Sequence, residues 1–192
     1  MPSYLQDALL FLIDTLLGLY LLALLLRLLF QLHDVSYYNP LVQFIAQVTR
    51  PAVAPLRPLL PRWRRLDLAS CLALFIMAFG KNFLLLFLKG GSTVFGLVTS
   101  WALLEIVHLL FSVYIYGILA YAVLSWFPIG YGHPIVQLLS ELFEPFLEIF
   151  RRWMPPIGGI DLSPLVALIG LEALRRLVLP LLQEIAYRAL IQ

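Results

Sequence analysis

Charge is scarce in this chain. Only 12% of its 192 residues are Asp, Glu, Lys or Arg, about half the share of an ordinary soluble domain. Apolar residues reach 62% and mean hydropathy is +0.94. A water-soluble domain of this length cannot hide that much apolar surface, and a disordered chain would not carry it. Cysteine is nearly absent too. Cys71 stands alone inside an apolar run, which excludes a disulfide framework or a thiolate metal cage within one chain and leaves a small buried hydrophobe. Basic excess is slight, with a net charge of +2, too little for a nucleic-acid footprint, so no nucleic-acid partner is expected. No G-x-S-x-G, H-E-x-x-H, phosphate loop or dinucleotide fingerprint occurs, so no enzyme and no cofactor is expected.

What is present is long apolar runs. They predict four transmembrane helices, at about 8–32, 66–88, 102–127 and 161–186, each long enough to cross a bilayer. The first is read as a retained span, because no Lys or Arg precedes it and no small-residue cleavage site follows. The third lies in a 34-residue run, Val94 to Phe127. As a helix that is about 51 Å against a hydrocarbon core of about 30 Å, so the part before Trp101 is expected outside. Alternation of strand type is missing, so a membrane β-barrel is not supported.

A shift of 94 residues lays the second half of the chain on the first without a gap. Asn39 to Leu68 then yields eight identities in 30 positions, among them Pro40 with Pro134, Pro51 with Pro145, Arg57 with Arg151, Pro61 with Pro155 and Asp67 with Asp161. Five of the eight are Pro, Arg or Asp, which shared hydrophobicity does not produce. The same shift pairs Lys81 with Arg175. The chain thus divides into repeats at 1–98 and 99–192, each a helix, an intervening segment and a helix. Two spans per repeat send both copies into the membrane the same way, so their relating axis runs along the membrane normal.

The intervening segments, 40–61 and 134–155, are amphipathic. Gln137, Glu141, Glu144, Glu148, Arg151 and Arg152 fall on one helical face, and Gln43, Gln47, Arg50 and Arg57 keep the spacing in the first copy. Each segment lies flat at the interface or re-enters shallowly. The first is basic and the second mildly acidic, so they pair across the axis or contact head groups independently; Arg50 and Glu144 are the residues to cross-link. Counted from one span to the next, the linkers hold seven arginines, Arg50, Arg57, Arg62, Arg64, Arg65, Arg151 and Arg152, against Lys89 and Arg188 on the other side. The positive-inside rule then places these linkers in the cytoplasm and both termini in the periplasm.

Ionisable groups at membrane depth are costly unless paired. Asp14, Arg27, Lys81, Glu105, His108, Glu172, Arg175 and Arg176 are the candidates. Arg27 is near enough to the end of its span to snorkel. Glu172 reaches Arg175 and Arg176 at i+3 and i+4, and Glu105 reaches His108 at i+3. Lys81 and Arg175 share one depth and serve either as interhelical ties or as an ion path or anionic-ligand site. Glu105-x-x-His108 is half of a di-iron pattern whose second half is missing, so no metal site is expected.

Arg27 near the end of a span, Asn39-Pro40, Thr49-x-Pro51, Pro55-x-Arg57, Pro61 and Asp67 opening the next span resemble the YggT repeat. The second copy is similar but looser, with His133 for Asn39, Phe143 for Thr49 and Tyr121 for Arg27. The resemblance implies an integral protein of the bacterial inner membrane, a non-enzymatic scaffold or assembly factor linked to osmotic or salt stress tolerance and ion homeostasis. Plastid relatives are associated with cytochrome assembly and nucleoid organisation. The implied partners are the lipid bilayer and other copies or a larger membrane complex. The alternative is a small ion transporter or channel subunit with a path near Lys81 and Arg175. In physical terms Asp67 and Asp161 suit helix N-caps, and Arg57 and Arg151 suit lipid phosphate or those aspartates.

Overall fold

The computed structural model describes residues 3–60, 62–63, 66–91, 94–127, 133–152 and 161–191; Pro61, Arg64, Arg65 and Pro155 lie outside the described residues. The described residues form six helices: α1 Ser3–Leu32, α2 Pro40–Val53, α3 Leu68–Leu88, α4 Phe95–Leu124, α5 Pro134–Arg151 and α6 Ser163–Ile191. A short 3-10 turn, Ala54–Leu56, follows α2, and a two-residue antiparallel ladder pairs Arg62–Trp63 with Leu66–Asp67 just before α3.

Among the described residues, three helices are long and apolar enough to cross a membrane, α1 (from Tyr4), α3 and α4, where the sequence led to an expectation of four. The exception is α6. Every 18-residue stretch of it holds Glu172, Arg175 and Arg176 together, or Arg175 and Arg176 with Glu184. Three charges in so short a stretch outweigh the leucines around them, since each costs several leucines' worth of transfer energy. The expected third span of 102–127 also shifts. Its helix runs unbroken from Phe95 to Leu124, and Ser125 to Phe127 form a turn.

The caps explain several boundaries. Asn39 accepts from the Leu41 amide at 2.9 Å and Pro40 takes the first turn of α2, where its missing N–H costs nothing. α2 stops at Val53, and the prolines that follow keep the chain out of a continuous helix. α1 closes through Asp34, whose φ of 52° lies in the left-handed region, with the Val35 amide donating back to the Phe30 carbonyl. α3 closes in the same way through Gly90, with a φ of 68°, and the Gly91 amide donating to the Leu86 carbonyl.

The two copies pack alike. α1 touches α2 and α3, and α2 touches α3; α4 touches α5 and α6, and α5 touches α6. Small residues allow the close approach of α3, where Ala69, Ala73 and Ala78 are buried in the same core as Leu21, Leu24 and Leu25 of α1. The copies meet where α3 lies on α4 and where α2 touches α5.

Candidate functional site

The two amphipathic helices meet at one end of the bundle. Asn39 Nδ2 donates to the Pro134 carbonyl at 2.7 Å, and the Ser36 amide donates to Glu141 Oε2 at 2.8 Å. Asn39 therefore caps its own helix and holds the start of the other. Asn39→Ala is expected to cost about 1–2 kcal/mol, read as a lowered unfolding midpoint in detergent, because it removes a cap and orphans a partner. Arg50 and Glu144 do not carry this contact. Glu144 accepts from the Tyr121 hydroxyl at 3.2 Å and lies 3.6 Å from Arg151.

Both copies place an arginine on the aspartate that opens the next helix. Asp67 accepts from the Ala69 amide and the Ser70 hydroxyl at the start of α3, and Arg57 lies 3.8 Å from it. Asp161 accepts from the Ser163 amide at 2.9 Å, and Arg151 Nε donates to it at 2.8 Å. Burial raises the Asp161 pKa, but the Ser163 and Arg151 hydrogen bonds outweigh it and hold the carboxyl below its ordinary value. Pro51 and Pro145 sit inside α2 and α5, each six residues before its arginine.

Arg27 is buried and does not snorkel. Its Nη1 donates to the Ala46 carbonyl at 2.9 Å and to Thr49 Oγ1 at 2.8 Å, which clamps α1 onto α2. At the same end, His33 Nε2 and the Tyr114 hydroxyl lie 2.9 Å apart and join the first copy to α4. Burial lowers the His33 pKa, and the neighbouring Asp34 opposes the shift without reversing it. The folded state thus favours the neutral ring. Its contribution is present above the ordinary histidine value of about 6.5 and is lost as pH falls through the lowered value. Unfolding midpoints measured from pH 7 to pH 5 are expected to fall for the parent protein and to flatten in His33→Gln.

Deeper in the bundle, Lys81 is only 7% exposed. Its ammonium lies 2.8 Å from Asp14 of α1 and pairs closely with Glu105 of α4. Asn82 Nδ2 donates to the other Glu105 oxygen at 2.6 Å. One lysine on α3 thus ties three helices together. Asp14, by contrast, is 56% exposed. Glu105 turns to Lys81 and not to His108, the i+3 neighbour suggested by spacing, and His108 is exposed. On α6, Glu172 takes Arg175 and Arg176 at 3.0 and 2.8 Å, within one helix. Among the described residues, Lys81 and Arg175 share no ion-pair partner. A cavity of about 310 Å³ opens beside this cluster, lined in part by Asn82, Trp101, Glu105, His108 and Gln183. Among the described residues, no three His, Cys, Asp or Glu are grouped to hold a metal ion.

Asn82 and Ser36 are the members of these contacts that neither the repeat motif nor the charges at membrane depth singled out. A charge count held the signal for the lysine cluster. Asp14, Lys81 and Glu105 lie one each in the three most apolar helices, near the same end of the bundle, so in a low dielectric they had to find one another.

Fold and polar contacts together define a class: a helical protein of two like-packed repeats, with helices suited to a membrane and joined through buried charge. The profile of the CCB3/YggT family matches residues 6–88 and again 100–182, two ranges set apart by the same 94 residues as the internal repeat. The chain belongs to that family. It is 35% identical over 178 residues to an uncharacterized protein of Pseudomonas aeruginosa, covering 91% of this chain and 90% of that one. It is 34% identical over 184 residues to the uncharacterized protein YggT of Escherichia coli K12, covering 93% of each. A shorter stretch of 83 residues, 43% of this chain and 31% of the relative, is 39% identical to the chloroplastic YlmG homolog protein 2 of Arabidopsis thaliana. No solved structure matches.

Proposed function

We infer that the chain is a non-enzymatic scaffold or assembly factor of the bacterial inner membrane. The observation that carries this reading is how its charge is used. Arg27, Lys81, Arg57 and Arg151 each tie one element to another, and Glu172 is taken up by its own helix. A transport path needs polar groups that face water or exchange partners along a route, whereas these are spent on holding helices together. The arginine-rich end faces the cytoplasm in this reading, by the positive-inside bias of its linkers. The link to osmotic or salt stress tolerance comes from the resemblance of the repeat.

One observation favours an ion-conducting alternative, namely the cavity beside Glu105 and His108. Purified protein sealed into liposomes separates the two. Potassium, sodium and chloride fluxes equal to those of empty liposomes, together with co-purification of a larger membrane complex, are the expected results. Flux that disappears in His108→Ala or Arg175→Ala would establish the conducting role instead. His108 is exposed, so its substitution leaves the fold in place.

A further inference from the structure

The two copies join head to tail. α3 of the first lies on α4 of the second, and among the described residues α6 has no comparable packing on α1. Such a contact is heterologous, so each of its two surfaces recurs, uncovered, at the opposite end of the repeat pair. The 94-residue shift locates them. On α3, Cys71, Phe75, Phe79 and Asn82 are half-buried, with the Phe79 ring 5.3 Å from Phe95 and tilted against it and Asn82 bonded to Glu105. Their counterparts on α6 are Leu165, Ile169, Ala173 and Arg176. All four are exposed, Arg176 at 79%, and their spacing of four, four and three puts them on one face.

The receiving surface recurs as well. Val98 and Ala102 of α4 are fully buried, whereas their counterparts on α1, Tyr4 and Ala8, are exposed. The counterpart of Glu105 is Phe11, 68% exposed. The copies share their internal packing, so the extra cover on α4 is what α3 supplies and what α1 lacks.

Charge points to the occupant. Lys81 between Asp14 and Glu105 leaves that cluster with a formal excess of one negative charge, and Glu172 between Arg175 and Arg176 leaves an excess of one positive charge. The repeat sets Arg175 level with Lys81. Asp14, half-exposed, lies three residues from Phe11 on the same side of α1. We propose that α6 of one copy docks on α1 of a second copy as α3 docks on α4, with Arg175 and Arg176 meeting Asp14. Each excess charge then finds its opposite, and α6, too charged to cover itself with lipid, gains an apolar and acidic partner surface. The docking rests on the bilayer reading above, because only two copies inserted the same way bring these levels together.

Photo-cross-linking in native membranes tests it. A tagged copy carrying a photoreactive residue at Ile169 is co-expressed with an untagged copy, and the linked peptides are read by mass spectrometry. The expected product joins Ile169 to the first two dozen residues of the untagged chain, while a probe at the exposed Tyr116 on α4 gives none. Arg176→Gln is expected to cut the yield about tenfold, the effect of losing one interfacial charge contact, with the unfolding midpoint of the chain unchanged. Label found only on lipid, on an unrelated polypeptide or within the tagged chain itself would overturn the docking while the chain stays in the membrane. A chain absent from the membrane fraction would overturn the bilayer reading and the docking with it.

Discussion

Lys81→Met is expected to destabilise the folded protein by about 3–5 kcal/mol, the usual cost of removing one partner from a buried ionic cluster. Methionine matches the length of the lysine stem, so packing changes little and the loss measures charge. Without the ammonium, Asp14 and Glu105 face each other's negative field, and Asn82 is left as the one neutral donor on Glu105. Reversible unfolding in mild detergent, or steric trapping in bicelles, reads the difference. The triple variant Asp14→Asn, Lys81→Met, Glu105→Gln is expected to recover most of the loss, because it removes the unpaired carboxylates along with the lysine. A Lys81→Met cost below about 1 kcal/mol, the range of exposed ion pairs, would show that water reaches the cluster and would weaken the scaffold reading. Glu172→Ala is the contrast. Its partners sit on its own helix and Arg176 is 79% exposed, so little stability depends on it.

Much of this architecture was legible in the sequence because membrane helices obey few rules. Long apolar runs located α1, α3 and α4, and the 94-residue shift with its prolines, arginines and aspartates located α2 and α5 between them. The helix starts at Pro40 and Pro134 follow from Asn39 and His133, residues whose side chains accept from the amide two positions on. α6 was misjudged for a definite reason. It was counted as a span by its length, although among the described residues Glu172, Arg175 and Arg176 bond to one another and not to a neighbouring helix.

The partners of the buried charges were less legible. Helical spacing shows which residues share a face of one helix, so it offered Glu105 to His108 and left Lys81 without a mate. Which face meets which helix is a tertiary fact. It depends on how α1 packs against α3, which brings Lys81 onto Asp14. The same applies to Arg27. Its place near the end of an apolar run suggested a side chain reaching for the surface, but the Thr49 hydroxyl and the Ala46 carbonyl of α2 offer a closer acceptor set.

Gly117→Ala is expected to destabilise by about 1–3 kcal/mol through overpacking, although alanine is the better helix former by about 1 kcal/mol. A methyl group at Gly117 would overlap the Phe143 ring, which is fully buried and stands edge-on to Tyr114 at 5.7 Å. The repeat explains the pairing. In the first copy the matching positions are Ala23, Arg27 and Thr49, with a polar clamp between α1 and α2. In the second they are Gly117, Tyr121 and Phe143, and an aromatic plug fills the space that the missing Cβ leaves. Phe143→Thr restores the residue of the first copy and removes the overlap, so Gly117→Ala is expected to be neutral or stabilising in that background. A double-mutant cycle on unfolding midpoints gives the coupling directly. Gly170→Ala on α6 is the internal standard, because nothing lies within 4 Å of a Cβ there. It should gain about 0.5–1 kcal/mol from propensity alone. Equal gains at Gly117 and Gly170 would show that the Phe143 ring yields readily and that the two copies lock their first and second helices together by the same means.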